Sequence, residues 1–206
     1  MIFKKLLASQ FKKPRGLLGH YSASFMNKNN TDYYTKTIDL LNIVDNDHVL
    51  EIGCGAGQAL KMISEMNKKC RLVGIDFSKF MINKAIRLNQ ENITSGRMKF
   101  IASDFESYKF ETTYSKAFLI NVIYFWNNIS INLRKIYDVI HNDGFVIIYM
   151  SSPERLNQIP FAVDSVFNKY SIEYVKSQIL EVGFKKVECV IVLKNNLETY
   201  FIKATK

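Results

Sequence analysis

The sequence predicts an α/β fold in which a mostly parallel sheet lies between helices, and two observations support this. Short apolar runs that indicate buried strands alternate with stretches of helical periodicity, as at 49–52 and 58–67. The first run leads into glycines at every second position, Gly53, Gly55 and Gly57, which is typical of a tight turn between a strand and a helix. Ligands of such folds bind beyond the carboxyl ends of the strands.

Length and composition indicate one globular domain. The chain has 206 residues, 48% of them apolar and 23% charged, which is ordinary for a folded protein with a substantial core. No apolar run approaches the ~20 residues that span a membrane. The three cysteines are odd in number and lack metal-ligand spacing, so we expect reduced thiols, no metal site and a cytoplasmic location.

The formal charge of +9 suits acidic substrates, nucleic acid or anionic lipid. The lysines are scattered, however, apart from Lys4-Lys5 and Lys12-Lys13. This distribution favours a generally solvated basic surface over a dedicated groove for a polyanion.

The glycine turn favours one class of ligand. A dinucleotide site requires Gly-x-Gly-x-x-Gly, but here the third glycine, Gly57, comes one residue early. Gln58 occupies the position where that motif has its third glycine. Glu51, two residues before the first glycine, would repel a pyrophosphate and suit a cation. The pattern Glu-x-Gly-x-Gly-x-Gly over 51–57 resembles the first motif of class I S-adenosylmethionine-dependent methyltransferases. Nucleotide-binding Rossmann variants are the alternative.

This resemblance implies a Rossmann-like seven-stranded sheet with helices on both faces and the last strand antiparallel. It implies S-adenosyl-L-methionine as cofactor, with Glu51 binding the cationic methionine end directly or through water. The backbone of the turn would be held close to the cofactor by Gly53, Cys54, Gly55 and Gly57.

Two further acids follow predicted strands. Asp76 ends the strand 71–76, where an acid can accept both ribose hydroxyls of an adenosine. Ser78 is placed to cap the helix 79–89, which leaves Asp76 available for a ligand, and Phe77 beside it is also expected at the cofactor.

The third predicted strand, 98–102, is followed by Asp104 and Phe105. By the same resemblance, the acid binds the adenine amino group and the aromatic ring packs on the base. A loop acid in a turn is the alternative.

The segment after the fourth strand, 115–121, is the second informative stretch. Asn121 could hydrogen-bond the cofactor, and Tyr124, Phe125 and Trp126 offer an aromatic wall near the methyl group, with Tyr124 and Trp126 as substrate contacts. Three consecutive aromatic residues are hard to bury together, so we expect at least one in the pocket. The segment matches neither Asn-Pro-Pro-Tyr nor Asp-Pro-Pro-Tyr, and no two cysteines are placed for covalent attack on a pyrimidine. Both absences weigh against methylation of nucleic-acid bases but leave ribose methylation open.

Residues 1–31 contain no acid and show helical spacing of apolar residues over 2–12. Three functions are open to this segment: a lid over the cofactor, a weak anchor to anionic membrane, and a transit peptide. The segment 9–19 is similar to the leader of small bacterial class I methyltransferases, which favours the lid. By that resemblance the pocket would be lined by His20, Tyr21, Met26 and Asn30.

The remaining pattern completes the domain 32–206. Helices are predicted at 32–44, 130–141 and 172–182, a turn at 142–144, and strands at 145–150, 187–193 and 198–204. The segment 151–170 is expected to shape the substrate pocket.

The predicted reaction is in-line transfer of a methyl group to a small-molecule acceptor. Of the three histidines, His48 and His141 fall at the wrong edge of the predicted sheet, and only His20 is a candidate base. The catalytic residue, the acceptor and the oligomeric state therefore stay unassigned. An RNA or protein methyltransferase and a non-catalytic cofactor-binding module are the alternatives.

Overall fold

Seven strands form a single sheet in the computed structural model, which describes residues 31–160 and 162–206. The strands are β1 (His48–Ile52), β2 (Arg71–Asp76), β3 (Met98–Ala102), β4 (Tyr114–Ile120), β5 (Ile140–Ser151), β6 (Lys186–Lys194) and β7 (Leu197–Thr205).

Helices flank this sheet, and one short 3-10 turn at Ile123–Phe125 follows β4. The helices are α1 (31–41), α2 (Gln58–Met66), α3 (Lys79–Leu88), α4 (Gln90–Thr94), α5 (Ile129–Val139), α6 (Pro153–Asn157) and α7 (Ile172–Glu181).

The strand order is β3-β2-β1-β4-β5-β7-β6. Strands β1 to β5 pair in parallel, and β7 is inserted antiparallel to both β5 and β6. The predicted α/β class, with its antiparallel last strand, is confirmed. None of the described helices is long and apolar enough to cross a membrane.

The central strands are apolar because both faces of the sheet are covered. Leu50 and Leu119 pack with α5 and α7 on one face, whereas Val49 and Phe118 pack with α1 and α2 on the other. Burying one such side chain contributes roughly 1.5–3 kcal/mol. The chain runs outward from β1 to β3 and then returns to β4 on the other side of β1, so a crevice opens between the ends of β1 and β4.

Three predicted boundaries were wrong. Helix α5 ends at Val139 rather than 141, because β5 begins at Ile140. Helix α1 ends at residue 41 rather than 44, because Asn42 takes a left-handed conformation with φ 45°. The predicted turn at 142–144 lies within β5, where the register against β4 shifts and Asp143 has φ 65°. Helices α4 and α6 were not predicted.

Candidate active site

A pocket of about 400 Å³ lies at the carboxyl ends of β1 to β4. This volume is within the range of small-molecule sites. Nine of the predicted residues line it: Gly53, Gly55, Asp76, Phe77, Asp104, Phe105, Asn121, Phe125 and Trp126. These residues lie at or after the ends of β1, β2, β3 and β4.

The glycine turn after β1 forms one side of the pocket. Gly53 has φ 70°, and a Cβ atom there would lie 2.3 Å from a methyl carbon of Val122. Only glycine allows this backbone conformation and this close approach of the turn to the segment after β4. The backbone N–H of Gly55 donates a hydrogen bond of 3.0 Å to Oδ2 of Asp76.

Asp76 has a backbone partner on each carboxylate oxygen. Oδ2 accepts from Gly55, and Oδ1 accepts from the N–H of Ser78 at 2.8 Å. Burial raises the pKa of Asp76, and these two hydrogen bonds counteract part of the shift. An ionised carboxylate has about four acceptor sites, so the two ribose hydroxyls predicted to bind here can still be accepted.

Glu51 lies behind the glycine turn, with 3% of its surface exposed, and is not part of the pocket wall. Its Oε2 has no hydrogen-bond partner in the described part of the chain. Burial raises the pKa of Glu51 well above its usual value, the charge of Asp76 raises it further, and the backbone N–H of Leu60 lowers it. An orphaned acid beside a second acid fits a cationic ligand at this turn.

Cys54 and Gly57 complete the turn but lie outside the pocket wall. The Cys54 thiol is buried, and its pKa is raised well above the usual value by burial and by the charges of Asp76 and Glu51. It therefore stays protonated and unreactive. A Cβ atom at Gly57 would lie 2.8 Å from the ring of Phe100, so this glycine is required by packing.

Acids and aromatic rings line the part of the pocket after β3. Asp104 is exposed, and its Oδ1 accepts from the backbone N–H of Glu106 at 2.8 Å. The ring of Phe105 is stacked with Trp126 at a centroid distance of 6.2 Å, and Lys135 lies 5.5 Å from the Phe105 centroid. Phe77, in the same pocket, keeps 37% of its surface exposed, which leaves it available to a flat apolar ligand.

The chain turns sharply at Asn121 after β4, with φ 60°, a conformation that asparagine tolerates better than most residues. Phe125 and Trp126 reach the pocket wall, whereas Tyr124 is buried and does not. The Tyr124 hydroxyl donates to Asn121 Oδ1 at 3.3 Å and accepts from the N–H of Ser151. Burial raises the Tyr124 pKa to about 12. Tyr124 therefore supports the pocket wall from behind, through Asn121 and through its edge contact with the ring of Phe125.

The remaining residues singled out by the sequence include four of the N-terminal segment. His20, Tyr21, Met26 and Asn30 fall outside the described residues. His48 begins β1 and lies 3.1 Å from the carbonyl oxygen of Thr113, at the opposite edge of the sheet. Within 31–160 and 162–206, no cluster of histidine, cysteine and acidic side chains could hold a metal ion.

Sequence reasoning missed five polar residues of the pocket wall: Ser103, Glu106, Asn127, Asn128 and Asn132. Glu106 follows Asp104 closely and could have been proposed with it. Asn132 lies in the middle of α5, where nothing in the local pattern marks it as different from a solvated helix residue.

A family model for the methyltransferase domain matches residues 43–205, and the chain belongs to this family. YrhH of Bacillus subtilis, described only as a methyltransferase, is 33% identical over 112 residues, which cover 52% of this chain and 59% of YrhH. This chain thus spans less than two thirds of that relative. A carboxy-S-adenosyl-L-methionine synthase of Nautilia profundicola is 25% identical over 193 residues, covering 79% of this chain and 80% of the synthase.

Solved structures support the fold. Phosphoethanolamine N-methyltransferase 2 of Haemonchus contortus, in complex with S-adenosyl-L-methionine, superposes with a TM-score of 0.71 at 13% identity over 85% of this chain and 52% of that chain. Together with the family match, the orphaned Glu51 and the acids after β2 and β3 fit S-adenosyl-L-methionine as the cofactor.

Proposed function

We propose that this protein transfers a methyl group from S-adenosyl-L-methionine to a small-molecule acceptor. One observation supports this above all others. The glycine turn, the acids that follow β2 and β3, and an aromatic wall after β4 converge on a single concave pocket. The Haemonchus protein with a similar fold is named for phosphoethanolamine, which is also a small-molecule acceptor.

Each part of the pocket has a role in this proposal. Glu51 and the backbone of the glycine turn hold the cationic amino-acid end, with Gly53, Cys54, Gly55 and Gly57 shaping the turn. Asp76 accepts the ribose hydroxyls beside Phe77. Asp104 and Phe105 hold the adenine.

Catalysis rests on positioning. The bound cofactor supplies an electrophilic methyl group on a sulfonium. Asn121, Phe125 and Trp126 line the wall at the end of β4, where they orient the acceptor and exclude water. Fixing two reactants in line can supply ~7–11 kcal/mol of the barrier.

No dedicated base is required by this scheme. Among the described residues of the pocket wall, the only side chains that titrate are the carboxylates of Asp76, Asp104 and Glu106. All three come from the ends of β2 and β3, on the side proposed for the nucleoside. An acceptor that is already nucleophilic is therefore favoured over a protonated amine.

Conversion of the cofactor itself is a second candidate, which one comparison favours. The Nautilia synthase, whose name describes a modified S-adenosylmethionine as product, is matched over about four fifths of both chains. Mass spectrometry of the cofactor after incubation with cell extract separates this activity from methyl transfer.

An RNA or protein acceptor and a non-catalytic binding module are weaker alternatives. The charge of +9 is the feature that favours RNA. An RNA-binding enzyme would lose affinity steeply between 50 and 200 mM salt, so weak and salt-insensitive binding to RNA would count against it. Cofactor binding without turnover of any acceptor would favour the binding module.

The N-terminal segment is included in the proposal as a lid, although it lies outside the described residues. Deletion of 1–30 is expected to weaken cofactor binding. Sedimentation with anionic vesicles at low salt tests the membrane-anchor alternative on the same pair of proteins.

The deciding experiment is calorimetric titration with S-adenosylmethionine and S-adenosylhomocysteine, followed by an acceptor screen that detects S-adenosylhomocysteine release. Micromolar binding that is lost in Asp76→Ala supports the proposal. Absence of binding by the wild-type protein would return the glycine turn to the nucleotide ligands.

A further inference from the structure

Strand β6 forms one free edge of the sheet, because β7 is its only neighbour among the described strands. All of its nine residues, Lys186–Lys194, pair with β7 without a shift of register, so the edge is long and regular. Within it, the run 189–193 contains no charged residue and no proline. An edge strand presents a row of N–H and C=O groups to which a further strand can pair, and natural proteins usually protect such edges.

The opposite edge of the sheet, β3, is protected by its length and by a charge. It has only five residues, Met98–Ala102, and Lys99 within it is exposed. A short edge offers few hydrogen bonds, and a lysine there disfavours a second strand that would take its charge out of water. Neither form of protection is present in the run 189–193 of β6.

The exposed side chains of this run are apolar on both faces of the sheet. Between 37% and 65% of the surface is exposed in each of Val190, Ile191, Val192 and Leu193. Successive residues of a strand point to opposite faces, so the two valines share one face, and Ile191 and Leu193 share the other. No other four consecutive large apolar residues are exposed in the described ranges. A strand added at this edge would cover both rows at once.

The charges that flank the run favour a second copy of this chain as the added strand. The run lies between Glu188 and, in the sequence, a lysine at position 194. When two copies of β6 pair antiparallel around a two-fold axis at Ile191, the run lies opposite itself and each residue 188 lies opposite residue 194 of the other copy. Opposite charges then face each other at both ends of the pair. An axis at Val190 would instead place residue 186, a lysine, opposite the lysine at 194.

We propose that this protein dimerises by antiparallel pairing of β6 with β6 of a second copy, around a two-fold axis at Ile191. The two sheets thereby join into one, and the apolar run of each copy is covered by the same run of the other. Strand β6 runs parallel to β5, since both are antiparallel to β7. The two pockets therefore lie at opposite edges of the joined sheet, and β5 and β7 separate each of them from the contact. Dimerisation of this kind does not depend on the proposed function.

Sedimentation of the wild-type protein over a concentration series is the first test, with Ile191→Lys as the variant and Val44→Lys as its matched control. Ile191 and Val44 are 54% and 53% exposed, but Val44 precedes β1, which three strands separate from β6. A lysine at 191 faces its own copy across the axis, so we expect the dimer to weaken at least about tenfold, whereas Val44→Lys should leave it unchanged. A wild-type protein that stays monomeric throughout the series, or equal weakening in both variants, overturns the inference.

Disulfide cross-linking tests the register in a Cys189→Ser background, because Cys189 is the only cysteine of the chain that is not buried. Ile191→Cys places two thiols directly opposite each other, with Cα atoms about 4.5–5.5 Å apart, which a disulfide can bridge. The control Val190→Cys offsets its two thiols by two residues, roughly 7 Å along the strands in addition to the gap between them, which a disulfide cannot bridge. We expect a covalent dimer from Ile191→Cys on mild oxidation and none from Val190→Cys. Any other result overturns the inference.

Discussion

The carboxylate of Asp76, at the end of β2, accepts a hydrogen bond of 3.0 Å from the backbone N–H of Gly55 in the turn after β1. The acid expected to bind a ribose thus also fixes the turn that faces the rest of the ligand. The same carboxylate accepts from the N–H of Ser78, which precedes α3. One side chain therefore links the ends of two strands to the start of a helix, and its removal affects the fold and the pocket together.

Asp76→Ala is expected to lower the free energy of unfolding by about 1–3 kcal/mol, because two backbone N–H groups lose their acceptor. S-adenosylhomocysteine should bind at least about tenfold more weakly, since the ribose hydroxyls lose the same acceptor. Chemical denaturation and calorimetry measure the two effects.

Ser78→Ala is the control for this prediction. The Ser78 hydroxyl accepts from the N–H of Met81 as the cap of α3, so its loss should cost about 1 kcal/mol. Its backbone N–H to Asp76 is retained, and binding should be unchanged. If both variants bind the ligand equally well, Asp76 has no part in binding.

Glu51→Gln is expected to stabilise the ligand-free protein increasingly as the pH rises. The pKa of Glu51 is raised in the folded protein, so the proton leaves the unfolded chain first, at about pH 4.3. The contribution of the Glu51 carboxyl group to the free energy of unfolding is complete below that pH. It is lost as the pH rises toward the pKa of Glu51 in the folded protein. Glutamine does not titrate, so its contribution to the free energy of unfolding is independent of pH. Each pH unit between the unfolded and folded pKa values of Glu51 therefore adds about 1.4 kcal/mol to the advantage of the variant.

Denaturation of both proteins between pH 4 and pH 8 checks this difference. A constant offset across the range would show that the Glu51 carboxyl group does not titrate differently in the folded and unfolded states. Asp76, whose pKa is also raised, is present in both proteins, so its own titration largely cancels.

Binding of the cationic cofactor is expected to release a proton from Glu51. A positive charge at the glycine turn favours the carboxylate, whereas burial raises the pKa of the same acid in the free protein. Affinity should therefore rise with pH up to the folded pKa of Glu51. Calorimetry in two buffers of different ionisation enthalpy detects the released proton, and Glu51→Gln should abolish that release and bind more weakly.

The strands of the site were predictable because their mostly apolar runs are short and each ends at, or within two residues of, a glycine, an acid or an asparagine. Strands β2 and β3 begin and end at the predicted residues, 71–76 and 98–102. The end of α1 was missed although a local signal is present, because asparagine, here the left-handed Asn42, commonly ends a helix. By contrast, the place of Asn132 beside the pocket depends on its contact with Glu106, a residue distant in sequence.

The aromatic segment shows where sequence reasoning ends. Tyr124, Phe125 and Trp126 are equivalent in a linear pattern, and the expectation was only that at least one would line the pocket. The 3-10 turn at Ile123–Phe125 buries Tyr124 and leaves its two neighbours at the pocket. Which ring is buried is determined by the direction of this turn, which the sequence does not specify.

Trp126 should report ligand binding directly. It is the only tryptophan in the sequence, lines the pocket and is stacked with Phe105. Binding of S-adenosylhomocysteine should therefore change the intrinsic fluorescence in a saturable manner, and Trp126→Phe should abolish the signal while calorimetric binding persists. A signal that does not change at saturating ligand would place the adenine away from Phe105 and Trp126.

Gly57→Ala and Gly96→Ala separate backbone strain from packing, because both glycines have φ 74°. A Cβ atom at Gly96 meets nothing within 4 Å, whereas one at Gly57 would lie 2.8 Å from Phe100 and 2.9 Å from Asn89. Gly96→Ala should cost only the strain of a left-handed alanine, about 1–2 kcal/mol. Gly57→Ala should cost about 1–3 kcal/mol more through overpacking. Because Gly57 caps α2 directly behind the pocket, Gly57→Ala should also weaken binding of S-adenosylhomocysteine. Equal losses of unfolding free energy in the two variants would show that the turn can move away from Phe100.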